Sequence, residues 1–142
     1  MKRVALAALV LAAFCAGCIG HGNPVVATRA GAADQLIAGA FNSRQSGIEV
    51  QDTGTVTKVL ADDVEGGRHQ RFILRLESGQ TLLVAHNIDI AARLAPLTVG
   101  DPVEFRGQYE WNSQGGVIHW THHDPAGRHP SGWVKCNGQT YQ

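Results

Sequence analysis

This 142-residue chain has no surplus of either charge: twelve Lys and Arg stand against twelve Asp and Glu. Affinity for polyanions needs an excess of well-placed cations, so general nucleic-acid binding is disfavoured. Cysteine is scarce too, with Cys15 and Cys18 close together near the amino terminus and Cys136 alone near the other end. That is too few for a disulfide scaffold, and the fold must rest on its apolar core. Internal repeats and low-complexity blocks are absent, and no long apolar run follows Phe14. A repeat solenoid and a helix crossing the membrane within the body of the chain are therefore not expected.

What the amino terminus does carry is an export pattern. Lys2 and Arg3 form a positive start, Val4 to Phe14 an apolar stretch too short to span a bilayer comfortably, and small residues lead to Cys18. The tetrad Cys15-Ala16-Gly17-Cys18 resembles a bacterial lipoprotein processing box, with Cys15 where a Leu is usual. The resemblance implies a signal peptide at 1–17, acylation of Cys18, and a membrane partner reached through that lipid. Ile19 after it is compatible with an outer-membrane lipoprotein facing the periplasm; cleavage near Gly20 and a soluble secreted product is the alternative. With Lys2 and Arg3 removed, ten basic residues face twelve acidic ones. With Cys18 acylated, Cys136 is the one thiol left. Its Lys135-Cys136-Asn137-Gly138 setting has no recognised catalytic frame, so it reads as a packed or intermolecularly paired thiol.

Residues 18–33 read as the lipidated Cys and a flexible tether, and 34–142 as one small domain. Leu36, Ile37, Ala40 and Phe41 share a helical stripe that Asp34 can cap and Gly47 can end. Strand patterns follow. Gly54 to Leu60 is rich in Thr and Val, and Arg68 to Leu76 alternates with Gln70, Phe72, Leu74 and Leu76 on one face. Glu77-Ser78-Gly79 turns the chain into a partner strand, Gln80 to His86. A short helix carrying Ile90, Ala91 and Leu94 is expected next, then a strand with Val103, Phe105, Gly107, Tyr109 and Trp111 on one face, and a last strand from Gly116 to about Thr121. Three strands, a helix and two strands is the order of a five-stranded Greek-key barrel of the OB type. The expected fold is thus mainly β, an OB-like barrel with a short N-terminal helix and an irregular C-terminal loop. An open antiparallel sheet covered by the Leu36 helix is the competing architecture.

From Gly107 onward the chain resembles a family of small exported bacterial proteins known only as a domain of unknown function. The residues that carry the likeness are Tyr109-Glu110-Trp111-Asn112, the run Gly115 to Pro125 containing His119-Trp120-Thr121-His122-His123-Asp124-Pro125, Gly127-Arg128-His129, Gly132-Trp133, and Gly138 with Tyr141. The resemblance implies a single unit and no particular activity.

Four of the seven histidines fall between His119 and His129. Imidazole serves as metal ligand, general acid or base, or hydrogen-bonding group near neutral pH. On a continuous strand His119 and His123 would stand about 13 Å apart, beyond one coordination sphere. Pro125 and Gly127 favour a turn that could gather His123, Asp124 and His129, a set that would suit zinc. His123 and His129 are also the acid or base candidates should the protein be a metal-dependent hydrolase of a phosphoester or envelope polymer. A third reading makes the segment structural, with Asp124 capping a turn and the histidines bonded to backbone. Trp120 and Trp133 with His122 and Arg128, and the polar stripe His69 and Arg71 on the alternating strand, are the candidate binding residues. Flat rings and polar strand side chains are what OB barrels use to hold extended polymers. The reading favoured is an exported binding module with a glycan or an envelope protein as partner.

Overall fold

The structure, a computed structural model, describes residues 29–142. The segment expected as a signal peptide, Cys18, and the first part of the segment expected as a tether lie outside the described residues.

Helix α1 (Arg29–Ser43) starts five residues before Asp34, reaching back into the stretch expected to be tether. Ala32 and Ala33 are strong helix formers and extend it. Asp34 is consequently not its cap. It is buried, and its carboxylate accepts hydrogen bonds from the Ser78 N–H and the Ser78 hydroxyl, both at 2.6 Å. This clamps the helix to a turn of the barrel. Ile37 and Ala40 face the core, whereas Leu36 is 48% exposed. The end comes at Arg44, not Gly47: Arg44 takes φ 55°, its N–H bonds Phe41 O, and the Gln45 N–H bonds Ala40 O. These two bonds form a Schellman motif, with Arg44 in the place usually held by glycine. The Arg44 guanidinium lies 5.5 Å from the Trp111 ring centroid, a favourable contact.

Strand β1 (Ile48–Val59) begins six residues earlier than its Thr/Val run suggests. Its inward positions are Val50, Asp52, Gly54 and Val56. Two of these are not apolar, which hides the alternation. The early half of β1 pairs with β4 (Pro102–Glu110), and its late half, from Thr55 and with a register shift between Val56 and Lys58, pairs with β2 (His69–Arg75). Strand β2 pairs with β3 (Thr81–Asn87), β3 lies parallel to β5 (Val117–His119), and β5 pairs with β4. The order β1-β2-β3-β5-β4 returns to β1, so the sheet closes as the OB barrel expected and the open-sheet alternative is excluded. Gln70, Phe72, Leu74 and Leu76 all point inward as read, against Val84, Val103, Phe105, Tyr109 and Ile118.

Two elements depart from expectation. The 88–101 connection holds no helix. Only Leu94 of its predicted apolar face is buried; Ile90 is 50% exposed. The segment is pinned by side chains instead: Leu94 N–H to Gln70 Oε1, Ala95 N–H to the Tyr141 hydroxyl, and the His86 ring to Ala92 O. The C-terminal stretch is more regular than a loop. Strands β6 (Trp133–Cys136) and β7 (Gln139–Tyr141) form a hairpin through Asn137 and Gly138, at φ 51° and 76°, and β6 extends the sheet along β4. Asn-Gly is the dipeptide that a tight type I′ hairpin favours.

Candidate functional site

On the outer face of the barrel, alternation turns His69 of β2 and His119 of β5 away from the core, with β3 running between them. Ala85 of β3 sits beside His119 and is too small to fill the space over that strand. The result is a pocket of about 270 Å³ lined by His69, Ala85, Asn87, Ile90, His119, Trp120 and His122.

One wall is built by the abrupt end of β5. Trp120 adopts φ 54°, an uncommon state for a bulky residue, and reverses the chain so that Trp120 and His122 flank the pocket. Two contacts hold this reversal. The Gly132 N–H donates to His122 O at 3.0 Å, and a Cβ at Gly132 would lie only 1.9 Å from Trp120 O and 2.5 Å from Arg106 O. Only glycine lets β4, the reversal and the approach to β6 meet so closely. The second is His86, fully buried, whose Nε2 lies 3.1 Å from Ala92 O and whose Nδ1 lies 2.9 Å from Thr121 Oγ1. A carbonyl only accepts, so Nε2 carries the hydrogen and Thr121 donates to Nδ1. Burial, the dominant cause, pushes the His86 pKa down to about 4, with the nearby His122 and His69 rings pushing the same way against the two hydrogen bonds. His86 is a neutral fastener beneath the site.

The pocket histidines have the opposite arrangement. His69 Nδ1 lies 3.1 Å from Gly67 O and His122 Nδ1 lies 2.9 Å from His123 O. In both rings Nδ1–H is the donor, which leaves the Nε2 lone pair without a partner among the described residues. The His119 ring makes no hydrogen bond to any described residue. Burial lowers its pKa, and His69 nearby lowers it further, partly offset by Glu110. Among the described residues, no Lys, Arg, Asp or Glu lines the pocket. Arg68, one residue before His69, pairs with Asp89 at 2.7 Å, and Arg93 pairs with Asp62.

Of the candidate binding residues, His69, Trp120 and His122 meet here, while Arg71, Arg128 and Trp133 do not line the pocket. Arg71 donates to Ala61 O and faces Asp63 at 3.8 Å. Trp133 lies in β6 opposite Arg106. The Arg128 N–H donates to Asp124. The set His123, Asp124 and His129 is divided among separate partners. The Asp124 carboxylate accepts the N–H groups of Ala126, Arg128 and His129, which draw its pKa down and make it the organiser of its own loop. His123 meets the Ser131 hydroxyl at 2.9 Å. His129 stacks on Trp120, with centroids 4.2 Å apart and planes within 4°, and brings Nε2 to 3.6 Å from Glu49. Among the described residues, no three His, Cys, Asp or Glu side chains are arranged around a common metal position.

His86, His119 and Asn87 are site residues that sequence patterns did not single out for this pocket. A signal for His119 exists: it occupies the same outward polar phase on its strand as His69 does on its own. What joins them is the parallel pairing of β5 to β3, which no local pattern announces.

A model of the family described as "Protein of unknown function (DUF3465)" matches residues 23–142. The chain belongs to this family. No curated protein and no solved structure matches it. The match takes in the whole barrel, the β6–β7 hairpin and every residue of the DUF3465 pocket just described.

Proposed function

We propose that this DUF3465 protein is a non-catalytic binding module of the bacterial envelope, with the His69–His119–Trp120–His122 pocket as its ligand site. The observation that carries the reading is the direction of the hydrogen bonds. Two backbone carbonyls hold the His69 and His122 rings in one tautomer, so the pocket offers nitrogen lone pairs within a wall otherwise made of Trp120, Ile90, Ala85 and Asn87. Such a site suits groups that seek a lone pair, either hydrogen-bond donors such as sugar hydroxyls or electron-poor cations, and among the described residues no Lys or Arg lines it to attract an anion. A hydrolase reading is less well supported. His123 and His129 are engaged with Ser131 and Trp120, and neither lines the pocket.

The envelope assignment rests on the leader pattern and Cys18. Acylation of Cys18 would hold the barrel at the outer membrane, facing the periplasm. Cys18→Ala should abolish acylation and move the protein out of the membrane fraction; unchanged membrane association with no acyl mass on the wild-type chain would defeat this assignment.

Nuclear magnetic resonance of the isotope-labelled full chain, titrated with soluble murein fragments and separately with zinc chloride, tests the site. Shifts should centre on His69, Asn87, His119, Trp120 and His122. Shifts centred on the 123–131 loop or on Trp133, or none with either probe, would contradict the reading.

A further inference from the structure

We propose that the three imidazoles His69, His119 and His122 bind one divalent late first-row transition cation, of the zinc or copper type, in the pocket. The inference rests on the binding reading above and names the ligand class.

A histidine that ligates a metal almost always donates its other ring N–H to a carbonyl or carboxylate, which fixes the tautomer and raises the basicity of the ligating nitrogen. His69 and His122 already have that arrangement, through Gly67 O and His123 O. His86 and its Ala92 bond show the contrast: there both ring nitrogens are used within the protein, so it contributes no free lone pair. His119 is the third ring of the set and, among the described residues, has no competing hydrogen bond to break.

Donor chemistry then selects the cation. A pocket of imidazoles without a carboxylate suits zinc and copper and is a poor host for magnesium or calcium, which take oxygen ligands. His69 pairs with Asn87 on one side of β3 and His119 follows Ile118, the partner of Val84, on the other, so the two stand at least about 10 Å apart between backbones, a gap that the two imidazoles have to span from opposite sides to meet one ion. The three rings do not form a metal-holding group in this structure, so binding requires side-chain rotation, and His119, which has no hydrogen bond among the described residues, is the least restrained of the three.

Calorimetry of the full chain with zinc chloride and with copper sulfate tests this, alongside His69→Gln, His119→Gln, His122→Gln, His123→Gln and His129→Gln. One equivalent of zinc or copper should bind, each of the first three variants should lose at least tenfold in affinity, and the last two should keep it. Metal-free melting temperatures, measured in parallel, identify any variant whose loss is a folding defect. His69→Gln and His119→Gln, at half-exposed positions, keep the test decisive should His122→Gln unfold. Binding unaffected by the first two substitutions, as thiol capture at the cysteines would give, overturns the inference. So does the absence of metal binding. If murein fragments still shift the pocket resonances in that case, the binding reading stands and the cation inference alone falls.

Discussion

Asp52 is the least comfortable residue in the barrel, and replacing it gives a quantitative check on the core. It occupies an inward position of β1 at 5% exposure; Oδ1 accepts the Thr53 N–H, while Oδ2 is the one buried side-chain oxygen or nitrogen among the described residues without a hydrogen-bond partner. Burial pushes its pKa from 3.8 up to about 6, reinforced by the carboxylates of Asp34 and Glu77 and opposed by the Thr53 bond. The folded state therefore binds the proton more tightly than the unfolded state. The stability associated with that proton is fully present below about pH 4 and is lost as pH rises through about 6. A carboxyl raised this far carries a ceiling of about 3 kcal/mol, which solvent penetration and relaxation reduce. Asp52→Asn removes the charge and keeps the shape, so it should stabilise the domain by about 1–3 kcal/mol at pH 8 and by less than about 0.5 kcal/mol at pH 4. Urea unfolding of both proteins at the two pH values, with equal m-values, measures this directly. His86 has the opposite sign. Its contribution is present above about 6.5 and lost as pH falls towards 4, so the wild-type profile partly cancels and only the difference between the two proteins isolates Asp52. A gain of the same size at both pH values would refute the reasoning.

Two further substitutions probe the frame around the site. Phe105→Ala empties a fully buried ring position and should cost roughly 3–5 kcal/mol by the same urea assay, with little change expected if the β4 register were wrong. Gly132→Ala drives a methyl into Trp120 O and Arg106 O, so it should lower the melting temperature and disturb the Trp120–His129 stack, seen as a change in near-ultraviolet circular dichroism; an unchanged spectrum would show that the reversal does not depend on that contact.

The parts of this fold that are legible in the sequence are those governed by local pattern. Strand β2 alternates without interruption, and its hairpin with β3 follows from one short turn. The early half of β1 escapes because Asp52 and Gly54 occupy inward positions. The β6–β7 hairpin escapes although Asn137-Gly138 advertises it, since the two strands flanking that turn are only four and three residues long. The site divides in the same way. His122 and Trp120 are legible as neighbours within a dense segment. Asp124 reads equally as metal ligand or loop organiser, and three backbone N–H groups decide in favour of the loop. His69 and His119 are fifty positions apart in sequence and meet because the parallel β3–β5 pairing closes the barrel, a long-range event outside the reach of periodicity.

The ring tautomers provide the most direct test of the site. Long-range proton–nitrogen correlation spectra of the metal-free full chain at about pH 8 distinguish Nδ1–H from Nε2–H imidazoles. His69 and His122 should be Nδ1–H, with Nε2 unprotonated and facing the pocket, and His86 should be Nε2–H with a nitrogen shift independent of added ligand. Nε2–H rings at His69 and His122 would remove the lone pairs on which the binding reading depends and would contradict it.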